Sequence, residues 1–475
     1  MTTRRRLLSN TAVVIVGTGL QRLLHLGTTL VLARGLGEEQ FGTYSFVVAY
    51  MFMFGFLVDL GFERVITREV ARQPHRAGEL IGNGFIIRGV LSLFAAAAAI
   101  GVAWLLHLPA LTRLCILIAA AGMPLSIEIL VRGFYQSRYE MHYTFLLTLP
   151  GSLAFLLLAR LVISLGGGLP AVMATSLATG VATVGAMLWV AVPKIGVVWR
   201  LDPVLLRDLW RESWELGAVM LLFLIALRLD QLLLYWLRDA AEVADYAVAV
   251  KVTEALNSIP EAIMVTVFPL LAASQHSAPE RFQRVYHLTV RYLIVLVLPL
   301  ALLLTFEPAN IIRGLFGPQY VSGALALTLM AWWMFFSYTA AAYLNLMIVR
   351  RQQRLIAAVS AVAVVLNLVL NLLWIPRWGS AGAAAATLAS SATSFALFWL
   401  APATREAIQI ICSEAVRPAV AISATAVALS LIGNPRLRVL GVLPVYGVLM
   451  LLLGGINRQD LAWMVKLLQP AQRRA

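Results

Sequence analysis

The feature that most constrains this chain is an apolar run of about 20 residues that recurs along its whole length. Of the 475 residues, 61% are apolar and only 13% are charged. A helix of about 20 apolar residues crosses the hydrocarbon core of a membrane, whereas a soluble domain is only about 45–50% apolar and about 25% charged. The sequence therefore predicts an all-α polytopic membrane protein. It excludes a soluble enzyme, a disordered chain and a coiled coil.

Charged residues, proline and glycine divide the apolar sequence into 14 predicted membrane spans. The spans are Asn10–Ala33, Tyr44–Thr67, Ile81–Leu106, Thr112–Gly133, Tyr143–Leu165, Pro170–Val192, Trp214–Leu237, Ala244–Leu271, His287–Phe306, Gly323–Val349, Leu355–Ile375, Ser380–Leu400, Arg417–Ile432 and Arg438–Ile456. The loops between them are short, so the sequence leaves no room for a folded catalytic domain outside the membrane.

Basic residues are unevenly distributed between the predicted loops. With the N-terminus inside, the inner segments hold 24 Lys and Arg residues and the outer segments hold seven. Cytoplasmic loops of membrane proteins carry such an excess, so we expect both termini to be cytoplasmic. The net charge of +14 then indicates the lipid bilayer as partner, and no nucleic acid.

Two short sequence echoes relate the first six spans to the next six. Leu32–Gly37 followed by Tyr44–Ala49 resembles Trp236–Asp239 followed by Tyr246–Val250, and Ala174–Thr179 resembles Ala386–Ser390. An offset of six spans leaves both halves in the same orientation, as in transporters with a site between two repeats. The predicted organisation is an N-lobe over 1–192, an amphipathic cytoplasmic linker over 193–213, a C-lobe over 214–400, two extra spans over 401–456 and a cytoplasmic tail over 457–475.

The linker and the tail each contain a segment with amphipathic helical spacing. In Trp199–Arg211, leucines recur every four residues between arginines, and Asp460–Leu468 has a similar pattern. Such a pattern is typical of a helix that lies in the membrane surface.

The first span of each predicted lobe carries a polar stripe led by arginine. In span 1 the stripe is Thr18, Arg22, His25 and Thr29, at the spacing of one helical face. In span 7 it is Arg228, Gln231 and Tyr235, which repeat the spacing of Arg22, His25 and Thr29. Ionisable residues inside spans mark transport pathways. The alternative is that both arginines form structural pairs with buried carboxylates.

Carboxylates inside spans are the second set of candidates. Asp59 lies near the inner end of span 2, where it could instead hold an interhelical contact. Asp230 lies beside Gln231, and Glu254 follows Lys251 by three residues on the same helical face. Asp230 and Glu254 each lie beside a basic residue, Arg228 and Lys251. The three acids are candidate sites for a coupling cation or proton.

Other charged residues have structural interpretations. Arg88, Arg160 and Arg291 lie within two turns of span ends, where a long side chain can reach the membrane surface. Glu128 and Arg132 are four residues apart and can neutralise each other.

No catalytic or metal-ligand motif is present. The six histidines are scattered, and neither a Walker loop nor a zinc-binding helix motif occurs. The sequence therefore predicts a non-enzymatic transporter without a cofactor or metal. A membrane polysaccharide polymerase or glycosyltransferase is the less favoured enzymatic alternative.

Several motifs resemble those of a known transporter family. They are LARGLGEEQFGTYS at Leu32–Ser45, DLGFERVITR at Asp59–Arg68, LRLDQ at Leu227–Gln231, YAVAVK at Tyr246–Lys251, LFGPQY at Leu315–Tyr320 and GSAG at Gly379–Gly382. Their order and spacing are similar to those of Wzx-type polysaccharide-lipid flippases of the MOP (MATE-like) superfamily. The resemblance implies two six-helix lobes and two extra C-terminal helices.

The resemblance also implies a function. It implies that undecaprenyl-pyrophosphate-linked oligosaccharide is flipped from the cytoplasmic to the periplasmic leaflet of the bacterial inner membrane for polysaccharide synthesis. Glycosyltransferases and a polysaccharide polymerase are the implied partners. The alternative is a MATE-type cation-coupled exporter of small molecules.

With that substrate, the polar stripes acquire specific roles. We expect the pyrophosphate to be bound by Arg22, Arg228, His25, Gln231 and Lys251, and the coupling ion by Asp230, Glu254 or Asp59. Arginine suits a pyrophosphate because its planar fork donates paired hydrogen bonds and remains protonated.

Overall fold

The protein is described by a computed structural model over residues 3–59, 61–203, 228–275 and 278–457, with Arg207 and Arg211. These residues form helices and contain no β-strand. The contacts divide the chain into unit 1, Met1–Ala247, and unit 2, Val248–Ala475. The structure thus has the predicted all-α class.

Unit 1 is built from long helices joined by short turns. They are α1 (Thr3–Leu36), α2 (Glu38–Asp59), α3 (Phe62–Arg72), α4 (Ala77–Leu105), α5 (Ala110–Ala121), α6 (Glu128–Ser137), α7 (His142–Ser164), α8 (Leu169–Ile195), α9 (228–237) and the start of α10 (Ala240–Ser274).

Unit 2 contains the rest of α10 and the helices that follow it. They are α11 (Pro279–Phe306), α12 (Pro308–Leu315), α13 (Ala324–Val349), α14 (Gln353–Leu400), α15 (Pro402–Ser430) and α16 (Pro435–Leu452).

Three predicted spans differ from single straight helices for local reasons. Span 2 is divided into α2 and α3 at Gly61, whose φ of 85° is accessible mainly to glycine. Span 4 is divided into α5 and α6 by a 3₁₀ turn at Met123–Ile127 that contains a proline. Span 13 begins earlier than expected, because α15 starts at Pro402 rather than at Arg417.

Predicted spans 11 and 12 are the two halves of α14. Gly379 has non-helical dihedral angles of 54° and −130°. The Asn367 side chain donates a hydrogen bond to the Ser390 hydroxyl at 3.3 Å, across 23 residues. A straight helix would separate these residues by about 35 Å, so the chain turns back between them.

Within the described residues, ten helices are long and apolar enough to cross a membrane. The remaining predicted spans correspond to α1, α9, α16 and the second half of α14. The protein is therefore a multi-pass membrane protein. The part of span 7 before residue 228 and the tail after residue 457 lie outside the described residues.

The chain that leaves α8 is fixed to α4 through its backbone. The Asn83 side chain donates to the Arg200 carbonyl at 3.0 Å and accepts from the Asp202 backbone N–H at 2.9 Å. Residues 197–202 are extended or irregular rather than helical. The first part of the predicted amphipathic helix is thus absent, because its backbone hydrogen bonds are made to α4. Most of the rest of that segment lies outside the described residues.

Candidate functional site

The predicted polar face of α1 lines a cavity in unit 1. Thr18, Arg22 and His25 all face this cavity, which has a volume of about 500 Å³. Gln21 and Val14 complete the contribution of α1. The five positions lie on one helical face, so the spacing that predicted this face is confirmed, whereas Thr29 is not among the lining residues.

Helices α7 and α8 supply a wall of hydroxyl groups. The hydroxyl residues are Thr144, Thr148 and Ser152 of α7 and Ser176, Thr179 and Thr183 of α8. The two helices approach closely at Gly151, where a Cβ atom would lie 2.1 Å from the Thr183 hydroxyl oxygen. Glycine is therefore needed at this position for the wall to form.

Helix α6 adds a second arginine to the cavity. Arg132 and Glu128 line it together, and the Arg132 Nη2 atom donates to the Glu128 carboxylate at 3.0 Å. The predicted pair is therefore confirmed. Spacing within one helix could not show that the pair lines the same cavity as α1, because that depends on how α6 packs.

Three buried polar atoms of cavity-lining residues have no hydrogen-bond partner. They are the Gln21 Oε1, the Thr144 hydroxyl and the Arg132 Nε. The Gln21 amide nitrogen donates to the Ser152 hydroxyl at 2.5 Å. Buried polar groups are nearly always paired, so water or a ligand is expected to form hydrogen bonds with these three atoms.

The predicted α9 residues lie apart from this cavity, and none of them is among its described lining residues. The Arg228 guanidinium lies 5.4 Å from the ring centre of Phe52. Gln231 is buried, with 5% of its surface exposed. The structure therefore does not place these two residues in one cavity with Arg22.

Two other members of the α9 stripe pack within unit 1. Asp230 is buried and accepts a hydrogen bond from the Tyr246 hydroxyl at 2.7 Å. The Tyr235 ring stacks on Phe46 with 3.8 Å between ring centres, and its hydroxyl lies 2.7 Å from that of Thr112.

In unit 2, Lys251 and Glu254 form the predicted pair on α10. The Lys251 Nζ donates to the Glu254 carboxylate at 2.8 Å, and both side chains are partly exposed. The Lys251 ammonium therefore has a carboxylate partner within its own helix.

Asp59, a coupling candidate, is bound to Arg88, an arginine that we expected at the membrane surface. The Arg88 Nη1 lies 2.5 Å from the Asp59 Oδ1, and Arg88 is 3% exposed. The prediction that Arg88 reaches the membrane surface is wrong. Its side chain turns inward because Asp59 supplies an opposite charge within the helix packing.

Arg291 also has a carboxylate partner rather than a surface position. Its Nε donates to the Glu414 carboxylate at 2.6 Å, and His287 lies 2.9 Å from the same carboxylate. These contacts fix α15 to α11 within unit 2. The expectation that Arg291 extends to the membrane surface is therefore also wrong.

Comparison with known proteins identifies the family. Residues 7–275 match the model of the polysaccharide biosynthesis protein family. An uncharacterized membrane protein of Methanocaldococcus jannaschii is 26% identical over 192 residues, which are 38% of this chain. The matched region spans only 37% of that relative's length.

Solved structures show the same fold at low sequence identity. The lipid II flippase MurJ, in an inward closed conformation, aligns with a TM-score of 0.73 and 12% identity, over 94% of this chain and 99% of MurJ. An inward-facing multidrug resistance MATE family transporter of the MOP superfamily aligns with a TM-score of 0.60 and 14% identity, over 83% and 96% of the two chains. The chain therefore belongs to the polysaccharide biosynthesis protein family and has the fold of the MOP superfamily.

Proposed function

We propose that this protein flips polyprenyl-pyrophosphate-linked oligosaccharide from the cytoplasmic to the periplasmic leaflet of a bacterial inner membrane. The observation that carries the proposal is the cavity in unit 1, which holds Arg22, His25 and Arg132 among apolar helices. Membership of the polysaccharide biosynthesis family supports a glycan-linked substrate.

The cavity has the chemistry that an anionic head group requires. Hydrocarbon cannot solvate a pyrophosphate, so a protein that carries it must supply polar and cationic groups. Arg22 offers two parallel N–H donors to phosphate oxygens. Arg132 adds a second guanidinium whose Nε is buried and has no hydrogen-bond partner.

The Glu128 carboxylate lowers the affinity of the cavity for an anion. Because Glu128 already neutralises part of the Arg132 charge, the cavity attracts an anion less strongly than two isolated arginines would. A transporter needs such moderate affinity, since a head group that is bound too tightly is not released.

The membrane potential favours the proposed direction. A potential that is negative inside contributes about 2.3 kcal/mol per elementary charge per 100 mV. A pyrophosphate that moves outward is driven by this potential. A cation coupled through Asp230, Glu254 or Asp59 would add to it.

The proposed partners follow from the proposed substrate. Glycosyltransferases on the cytoplasmic side would assemble the lipid-linked unit, and a polysaccharide polymerase on the periplasmic side would consume it. We expect both termini of this protein to be cytoplasmic, because basic residues are in excess in the predicted inner loops.

The test is a flipping assay with purified protein in proteoliposomes. A fluorescent undecaprenyl-pyrophosphate-linked oligosaccharide is bleached from outside by dithionite, so the fraction protected reports flipping. Arg22→Ala should slow flipping about 10- to 100-fold, because a charged hydrogen bond to the substrate is lost. Arg22→Lys should restore part of the rate, since the charge remains without the fork.

The matched control is Arg160→Ala, because Arg160 is an exposed arginine of α7 that does not line the cavity. It should flip at the wild-type rate. A wild-type rate in well-folded Arg22→Ala would contradict the proposal. Protein-dependent uptake of a cationic dye, without flipping of the lipid-linked glycan, would support a MATE-type exporter instead.

A further inference from the structure

The hydroxyl groups of α8 present hydrogen-bond acceptors to the cavity. The Thr179 hydroxyl donates to the carbonyls of Thr175 and Ser176, and the Thr183 hydroxyl donates to the carbonyl of Thr179 at 2.8 Å. A hydroxyl has one proton and two lone pairs. Because the proton is already donated to a backbone carbonyl, each hydroxyl can only accept hydrogen bonds from a ligand.

Helices α7 and α1 add two further acceptors at the same cavity. Thr144 is only 2% exposed, and its hydroxyl has no hydrogen-bond partner. The Gln21 Oε1 is also buried without a partner. Leaving such atoms unpaired costs free energy, so a ligand that donates hydrogen bonds would stabilise this part of the protein.

The acceptors and the cationic donors occupy one cavity. Arg22 and Arg132 can donate only, whereas Thr179 and Thr183 are left with acceptor capacity. A pyrophosphate that is esterified at both ends is fully ionised at neutral pH, so it has no N–H or O–H groups to offer the threonines. The complementary ligand therefore combines an anion with a part that is rich in hydroxyl or amide donors.

We propose that Thr144, Thr179 and Thr183, together with Gln21, form a saccharide subsite that binds the sugar attached directly to the pyrophosphate. The inference rests on the proposed flippase function and adds the part of the substrate that the arginines do not explain. A volume of about 500 Å³ accommodates a small ligand, since such sites have about 300–1,000 Å³. The subsite would thus hold the proximal sugar rather than a whole oligosaccharide.

A purely structural role for these threonines is the competing explanation. Threonines in apolar helices often donate to the preceding turn, and Thr175 of the same helix does so to the Ala171 carbonyl at 2.8 Å without lining the cavity. Thr175 is therefore a matched control with the same residue type, helix and backbone hydrogen bond.

The experiment compares two lipid probes for binding to the full-length protein in nanodiscs. One probe is undecaprenyl pyrophosphate and the other is undecaprenyl pyrophosphate that carries a single hexose. The Thr179→Val, Thr183→Val double variant should bind the hexose-linked probe about tenfold more weakly, since each lost hydrogen bond corresponds to roughly threefold to tenfold in Kd. Its affinity for the sugar-free probe should stay within about twofold, and Thr175→Val should match the wild type with both probes.

A second variant separates sugar binding from folding. Thr144→Val replaces a buried, unpartnered hydroxyl with a methyl group of similar size. We expect it to raise the apparent Tm of the ligand-free protein while it weakens binding of the hexose-linked probe. A structural role for the Thr144 hydroxyl predicts a lower Tm instead.

The outcomes distinguish this inference from the proposed function. The saccharide subsite would be overturned if the double variant lost affinity for both probes equally or for neither. A comparable loss of affinity for the hexose-linked probe in Thr175→Val would overturn it as well. Full binding of both probes by Arg22→Ala would overturn the proposed function itself. Loss of both probes in Arg22→Ala, with loss of only the hexose-linked probe in the double variant, supports both.

Discussion

The cavity of unit 1 and the packed region around α4 both place arginine within apolar helices, but they surround the guanidinium differently. Arg22 is exposed on α1 and faces a cavity of about 500 Å³. Arg88 is 3% exposed and lies 2.5 Å from the Asp59 carboxylate. In the sequence, both are single arginines amid apolar residues. Only the structure shows that Arg22 lines a cavity that can hold a ligand, whereas Arg88 forms an ion pair within the packed helices.

Depth along a helix therefore does not decide the role of a charged residue. What decides it is whether neighbouring helices close around the charge or leave a space. Around α4 the packing is dense, with Phe62, Ile66 and Leu130 buried in one apolar cluster. Around the cavity, α1, α7 and α8 present Thr, Ser and Gln side chains to a space.

The greatest loss of stability is expected when the pair of Asp59 and Arg88 is broken. Arg88→Ala should destabilise the protein by about 3 kcal/mol, the upper end of the range for hydrogen bonds to charged groups, because the Asp59 carboxylate loses its charged partner. That carboxylate is 27% exposed and keeps the Glu63 backbone N–H as a donor at 3.3 Å. The measurement is the apparent Tm in detergent by fluorescence-detected size-exclusion chromatography. Arg160→Ala, in which an exposed arginine is removed, should leave the Tm unchanged.

The double variant sharpens this prediction. When Asp59 and Arg88 are both replaced by apolar residues, much of the stability should return, because no isolated charge remains. If Arg88→Ala were as stable as the wild type but defective in flipping, Arg88 would belong with Arg22 among the transport residues.

Two carboxylates of unit 2 test whether burial determines how much an ion pair stabilises the protein. Glu414 and Glu406 both lie on α15, and each pairs with an arginine, but their side chains are 13% and 61% exposed. Glu414→Ala should cost about 1.5–3 kcal/mol, the usual range for charged hydrogen bonds. Glu406→Ala should cost about 0–1 kcal/mol, as exposed ion pairs do. Equal shifts in apparent Tm would show that burial does not determine the strength of these pairs.

The helical architecture and the cavity face of α1 could be predicted from the sequence. Apolar runs correspond to the observed spans because the membrane imposes their length, and a spacing of three and four residues selects one helical face. The start of α15 was missed because Glu414 and Arg417 interrupt its apolar sequence. Glu414 is accommodated by Arg291, 123 residues away.

The hydroxyl wall of the cavity could not be predicted, because it depends on contacts between helices that are far apart in the sequence. Thr144 and Thr148 of α7, and Thr179 and Thr183 of α8, are each four residues apart, which is a signal that a search for polar faces could have found. However, threonine in an apolar helix is usually satisfied by its own backbone. That these residues meet Arg22 depends on the close approach of α7 and α8 at Gly151.

A smaller effect is expected where α4 meets the chain that leaves α8. A Cβ atom on Gly82 would lie 2.2 Å from the Val198 carbonyl oxygen. Gly82→Ala should therefore cost about 1–3 kcal/mol by overpacking. Gly89→Ala on the same helix has no atom within 4 Å of the added Cβ. It should be neutral or stabilising by about 0.5–1 kcal/mol, as measured by the apparent Tm. A large loss of stability in Gly89→Ala would contradict the assignment of this effect to the Val198 carbonyl.

The smallest structural effect is expected at the carboxylates that are candidates for coupling. Glu254→Gln removes an exposed pair with Lys251 and should change stability by less than about 0.5 kcal/mol. Asp230→Asn keeps an oxygen that can accept the hydrogen bond from the Tyr246 hydroxyl, so it too should fold. Because both substitutions keep the shape of the side chain, an effect on transport in folded protein can be attributed to the lost charge. We expect the dependence of flipping on an imposed cation gradient to disappear in at least one of them, whereas Glu280→Gln, at the exposed start of α11, should retain it.

If both variants keep the full gradient dependence, these carboxylates have no part in coupling, and Asp59 would be left as the remaining candidate. Asp59 is then the critical case, because its pairing with Arg88 would make any coupling role inseparable from the packing around α4.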